Sequence, residues 1–181
     1  SGGKGLNQSV ALGRAGAEVY HAGAIGQDGE FLIELLCEAG VRTEFVRRLD
    51  SIRTGNAIIQ RDKAGDNCII LYGGANQNIE RTQVDETIGF FEAGDYIVLQ
   101  NEINLLDYLI DRAYEKRMKI VLNPSPFGKS IADFDMGKVS LFFINEIEGE
   151  QMTGEKDPEM ILDSIRNMYP DAGVVLTLGE S

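Results

Sequence analysis

Residues 94–126 read GDYIVLQNEINLLDYLIDRAYEKRMKIVLNPSP, and the changes of texture along them decide the fold class. GDYIVLQNE and MKIVLNPSP carry continuous apolar runs, as strands buried on both faces do. INLLDYLIDRAYEKR between them places apolar residues at helical spacing. Strand, helix and strand in that order make a parallel unit, because a helix returns the chain to the same end of the sheet. Working outward, the alternation continues. KVSLFFINE (138–146) is a strand leading into a short acidic helix, and AGVVLTLGES (172–181) is a last strand running into glycine. Between them DPEMILDSIRNMYP (157–170) is a helix with Asp157 as N-cap and Pro158 in its first turn.

Upstream, a helix over Ser9–Ala15 with a small-residue face is followed by the strand AEVYHAGAIG (17–26). GEFLIELLCEAG (29–40) is amphipathic, with Phe31, Leu32, Leu35 and Leu36 on one face and Gly40 as its C-cap. The texture then changes. TEFVRRLD, TGNAIIQRD and DNCIILYGG are three consecutive strand candidates, and DKAGDN (62–67) between the last two is a hairpin signal. They predict a small antiparallel or mixed patch attached to a main sheet. The class is therefore α/β, with a mostly parallel sheet covered by helices on both faces.

Composition narrows the function classes. The 181 residues contain 17 Lys+Arg and 29 Asp+Glu, a net charge of −12 that argues against nucleic acid or an anionic membrane as partner. Two distant cysteines, Cys37 and Cys68, make neither a disulfide framework nor a zinc site, and they suit a reducing compartment. No apolar run reaches the length of a membrane span and no signal peptide is visible, so a cytoplasmic protein is expected. The single histidine, His21, sits in an apolar stretch and reads as structural.

In parallel sheets ligands gather outside the carboxyl ends of the strands. Here those ends carry Asn101 and Glu102, Asn123 and Ser125, Asn145 and Glu146, and Thr177 and Gly179. That edge is the expected crevice. The opening GGKG lacks the hydroxyl that a phosphate loop needs after its Lys, and no G-x-G-x-x-G is present. Two readings of it stay open on the residues alone: a turn whose backbone approaches a ligand, or a tight turn with a solvated Lys4. Each strand-end residue also has a plainer reading, Glu102 as a carboxylate at a helix N-terminus and Asn145 with Glu148 as helix caps.

GGKGLNQSVALGRAGAEV resembles the first signature of the ribokinase family of carbohydrate kinases. GAIGQDGEF, RTGNAIIQRDKAGDNCIILYGGAN, LQNEI, LNPSP, INEIEGEQMTG and VVLTLGES follow in that family's order. The resemblance implies a three-layer α/β/α kinase domain over 1–181, with lid strands and the return to the core over about 41–76. It implies Mg²⁺-dependent transfer of the ATP γ-phosphoryl group to a sugar hydroxymethyl, with ribose the expected sugar and a monovalent cation a further family feature. Carried over, Gly3, Lys4, Gly5, Asn7 and Glu102 hold the sugar. Asn145, Thr177, Gly179, Glu180 and Ser181 serve ATP, and Glu148 organises Mg²⁺ through water. A homodimer through the lid strands is expected.

The family's catalytic Asp belongs to a G-A-G-D motif that does not occur in these residues, and the strand that precedes GGKG in the family is absent. The expectation is a central piece, incomplete at both ends and inactive by itself. The alternative is a non-catalytic module that binds sugar or nucleotide.

Overall fold

The computed structural model describes residues 2–61, 67–128, 131 and 133–179. The DKAGDN turn signal falls almost wholly on 62–66, and Glu180 and Ser181 also lie outside the described residues. The chain divides into two compact units, Ser1–Gln83 and Val84–Ser181.

In the first unit, α1 (Lys4–Arg14) precedes β1 (Tyr20–Gly26), α2 (Glu30–Glu38) and β2 (Arg42–Leu49). β1 and β2 pair in parallel, from Tyr20 opposite Arg42 to Gly26 opposite Leu49. Leu6 of α1 meets Leu36, Ala39 and Val41, while Ile25, Ile33 and Val46 form a second cluster around the strands. β3 (Asn56–Arg61) and β4 (Asn67–Tyr72) form a separate antiparallel hairpin, with Ile58 opposite Ile70. The three consecutive strand candidates therefore divide: the first pairs in parallel with β1, and only the other two make the hairpin. The reason is α2, whose length lets β2 return alongside β1, as parallel pairing demands.

The second unit holds a four-stranded parallel sheet in chain order: β5 (Tyr96–Gln100), β6 (Lys119–Asn123), β7 (Leu141–Asn145) and β8 (Gly173–Thr177). The parallel strands are thus shared between two sheets. α3 (Arg81–Phe90) spans the division between the units, and α4 (Leu106–Glu115) joins β5 to β6. α5 (Glu146–Thr153) and α6 (Pro158–Met168) join β7 to β8. α3 has weak sequence signals, since only Val84 and Ile88 at i, i+4 spacing, beside Gln83, are buried. α6 starts as its sequence predicts: the Asp157 carboxylate accepts from the Glu159 and Met160 N–H groups at 3.0 and 3.2 Å.

β6 is central, and Ile120, Val121 and Leu122 are all buried. At β7, Phe142 and Ile144 are buried while Phe143 and the neighbouring Val175 of β8 stay 39% and 38% exposed. Burying each large apolar side chain contributes roughly 1.5–3 kcal/mol, so the core around β6 and the inner face of β7 holds the strand ends in place.

Candidate active site

The polar residues expected at the strand ends do lie at one edge of one sheet. Gln100 is opposite Asn123, and Asn145 is opposite Thr177, in a sheet whose strands all point the same way. Several tie neighbouring strand ends together. Asn101 Nδ2 donates to the Pro126 carbonyl at 2.7 Å, and Asn123 Nδ2 donates to the Phe143 carbonyl at 2.8 Å. Thr177 Oγ1 donates to the Ile144 carbonyl at 3.3 Å. Glu102 is half-buried in the turn between β5 and α4. That turn ends at Leu105 with φ 57°, a left-handed conformation rare for a branched side chain.

Asn145 and Glu148 form a reciprocal pair at the start of α5. The Asn145 side-chain carbonyl accepts from the Glu148 N–H at 2.8 Å, and the Glu148 carboxylate accepts from the Asn145 N–H at 3.1 Å. This is a capping box, which satisfies two of the donors a helix start leaves open. Glu148 is only 5% exposed. The pair therefore has a structural role whatever else it does, as one of the plainer sequence readings holds.

A pocket of about 280 Å³ opens at the ends of β7 and β8, lined by Asn145, Glu146, Ile147, Thr177, Leu178 and Gly179. Three of the nucleotide-side residues named from the sequence, Asn145, Thr177 and Gly179, come together here. Glu146, Ile147 and Leu178 were not among them. Glu146 matters because its carboxylate accepts from the Gly179 N–H at 3.1 Å and so holds the loop after β8. Its position directly after the strand was a visible signal, whereas the partner 33 residues away was not.

The sugar-side residues from the opening loop belong to the first unit. Gly3 is the N-cap of α1, with φ 117° and ψ 138°, backbone that only glycine adopts without strain. The helix begins at Lys4, earlier than the Ser9 start read from the sequence, so Lys4 and Gly5 form its first turn and Asn7 follows on an exposed position. The Asn7 N–H donates to the Gly3 carbonyl at 3.0 Å. A cation in the first turn opposes the helix dipole, and no acidic residue accompanies Lys4 there. His21 shares a 2.8 Å hydrogen bond with Ser9 Oγ, and burial pushes its pKa below the ordinary 6.5, so it is neutral at pH 7.

Among the described residues no group of three or more His, Cys, Asp and Glu side chains could hold a metal ion by itself. Mg²⁺ keeps most of its waters and takes few protein ligands beside phosphate oxygens; Glu148, the carboxylate named for it from the sequence, is buried, engaged in the capping box and not among the residues lining the pocket. No helix among the described residues is long and apolar enough to cross a membrane.

A parallel sheet with this pocket at its carboxyl edge defines an α/β fold with a candidate ligand site at the strand ends, and comparison with known proteins specifies the family. The chain belongs to the pfkB family of carbohydrate kinases, whose model matches residues 1–181. It is 31% identical to the ribokinase of Haemophilus influenzae over 98% of this chain and 60% of that protein. With the ribokinase of Staphylococcus aureus it shares 29% identity over 99% of this chain and 61% of that one. The crystal structure of Cryptococcus neoformans ribokinase in complex with ADP superposes with a TM-score of 0.82 at 30% identity, covering 98% of this chain and 61% of that one. The chain thus spans about 60% of the length of the relatives it matches.

Proposed function

We propose that these residues are the core of an ATP-dependent sugar kinase whose acceptor is ribose, phosphorylated on its hydroxymethyl group. The observation that carries the reading is the pocket at the ends of β7 and β8, where Asn145, Thr177 and Gly179 meet, in a chain of the pfkB family. ADP in the Cryptococcus relative and the name ribokinase on several relatives support nucleotide and ribose as ligands.

In this reading Asn145 offers its amide to the nucleotide, and Thr177 with the loop to Gly179, held by Glu146, forms the wall beside it. Glu180 and Ser181, outside the described residues, are assigned to ATP on the family resemblance alone. Gly3, Lys4, Gly5, Asn7 and Glu102 hold the sugar through hydroxyl-directed hydrogen bonds. Mg²⁺ supplies charge neutralisation on the phosphates when bound; Glu148 orients its water shell, and the capping box fixes the Glu148 carboxylate for that role. A monovalent cation is a further family feature proposed here. The hairpin, with exposed Ile58, Ile70, Leu71 and Tyr72, covers the sugar and pairs with a second copy to form a homodimer.

Residues 1–181 contain no G-A-G-D segment, so the chain by itself binds without turnover, since phosphoryl transfer needs a base in reach of the hydroxyl proton. This is also where the alternative, a non-catalytic binding module, has its support. Calorimetric titration with ribose and with Mg²⁺–ATP tests the proposal. Saturable binding of both supports it, and no heat from either overturns it. Multiple turnovers by residues 1–181 in a coupled ADP-release assay would refute the claim of binding without transfer.

A further inference from the structure

We propose that Asp28 is a positioning residue that, with Thr54, forms a collar fixing where the β3–β4 hairpin leaves the β1–β2 unit, and so sets sugar affinity. The affinity clause rests on the reading that the hairpin covers the sugar.

The collar is built from two turns far apart in sequence. One Asp28 carboxylate oxygen accepts from both the Thr54 N–H and the Thr54 hydroxyl, each at 2.8 Å. The same hydroxyl oxygen accepts from the Gly26 N–H at 2.9 Å. Thr54 is thereby engaged through three bonds to the turn that follows β1. Arg53 Nε adds a bond of 3.0 Å to the other carboxylate oxygen, but Arg53 is 79% exposed and its ion pair contributes little. These hydrogen bonds lower the Asp28 pKa to about 2, so the carboxylate is ionised throughout the neutral range.

The chain leaving the hairpin passes through the same point. The Ala75 N–H donates to the Arg53 carbonyl at 2.9 Å. A Cβ on Gly55 would lie 2.7 Å from the Gly73 carbonyl oxygen, so the two legs of the hairpin touch backbone to backbone. A Cβ on Gly26 would collide with the Ile52 carbonyl, and Gly74, with φ 49°, sits against the Arg53 carbonyl. Side chains are thus excluded where the legs cross the β1–α2 turn. Beyond the collar, among the described residues, β3 and β4 pair only with each other, and Ile58, Ile70, Leu71 and Tyr72 are about half exposed or more. The orientation of the hairpin is therefore set at its base, by Asp28 and Thr54.

The test compares hydrogen exchange in the 181-residue chain with that in Asp28→Ala, Thr54→Val and Thr54→Ser. Loss of one such bond is expected to speed exchange about tenfold. The affected amides are residue 54 in Asp28→Ala and Gly26 in Thr54→Val. Hairpin amides over 56–60 and 70–72 should speed up with them, while α1 and α2 stay as protected as before. Thr54→Ser keeps the hydroxyl and should restore the wild-type pattern, which a merely space-filling Thr54 would not do. In parallel, ribose affinity should weaken about tenfold in Asp28→Ala and Thr54→Val and recover in Thr54→Ser. Hairpin protection unchanged in both disrupting variants overturns the positioning role. Loosened hairpins with unchanged ribose affinity overturn the affinity clause. A wild-type chain that takes up no ribose fails the sugar reading itself, and the exchange pattern still decides whether Asp28 positions the hairpin.

Discussion

Replacing Glu148 by Gln separates its capping role from the role toward Mg²⁺ proposed above. In the wild type its carboxylate accepts from the Asn145 N–H at 3.1 Å while Asn145 caps the Glu148 N–H at 2.8 Å. Gln retains an acceptor oxygen at the same reach, and a capping box works with either residue. What is lost is the charge assistance at the helix start, about 0.3–1 kcal/mol. At 5% exposure a neutral group is also less costly to bury than a carboxylate, which offsets part of that loss. Urea unfolding should therefore show Glu148→Gln within about 1 kcal/mol of wild type. Asn145→Ala removes a capping acceptor and should cost roughly 0.5–2 kcal/mol. Nucleotide binding should behave in the opposite way for Glu148. Titrating ATP at increasing Mg²⁺, Glu148→Gln should need about tenfold more Mg²⁺ for half-saturation, the effect of losing one charged contact of about 1.4 kcal/mol. Two results would refute the reasoning. Unchanged Mg²⁺ dependence removes the metal role, and a loss of stability beyond that of Asn145→Ala shows that the cap needs the charge.

Three other outcomes follow from the packing and the site. Leu122→Ala, at a fully buried position on β6 between β5 and β7, should lower stability by about 2–5 kcal/mol in urea unfolding, whereas Leu178→Ser at 58% exposure should change it by no more than about 0.5 kcal/mol. Burial lowers the His21 pKa below 6.5, so below pH 6.5 the unfolded chain binds the extra proton first; stability should fall as pH drops from 6.5 through the folded pKa, and His21→Gln should flatten that slope in acid titrations followed by circular dichroism. Glu102→Gln should weaken ribose binding by about tenfold in calorimetry with little change in melting temperature, and equal affinity would remove Glu102 from the sugar site.

The amino-acid sequence by itself determined the elements whose cause is local. Asp157 followed by Pro158 specifies a helix start because both the cap and the fixed φ act within one turn. The apolar runs of β5 and β6 specify parallel strands, of which the inner β6 is buried and the edge strand β5 buries only Leu99, and the polar residues that follow each strand fall at one edge because all four strands point the same way. The family motifs were legible for the same reason, being short and contiguous. Tertiary structure decided what depends on partners distant in the chain. Which strand β2 pairs with rests on the path of α2, not on the residues of β2. α3 buries only two apolar side chains and Gln83, too few to stand out from a polar stretch. The hydrogen bond from Gly179 to Glu146 and the bonds from Thr54 to Asp28 join residues 33 and 26 positions apart. An isolated Glu or Asp in a sequence carries no mark of the amide it will meet. Local propensity acts over one or two turns, whereas a collar or a pocket wall exists only once the core has brought its parts together.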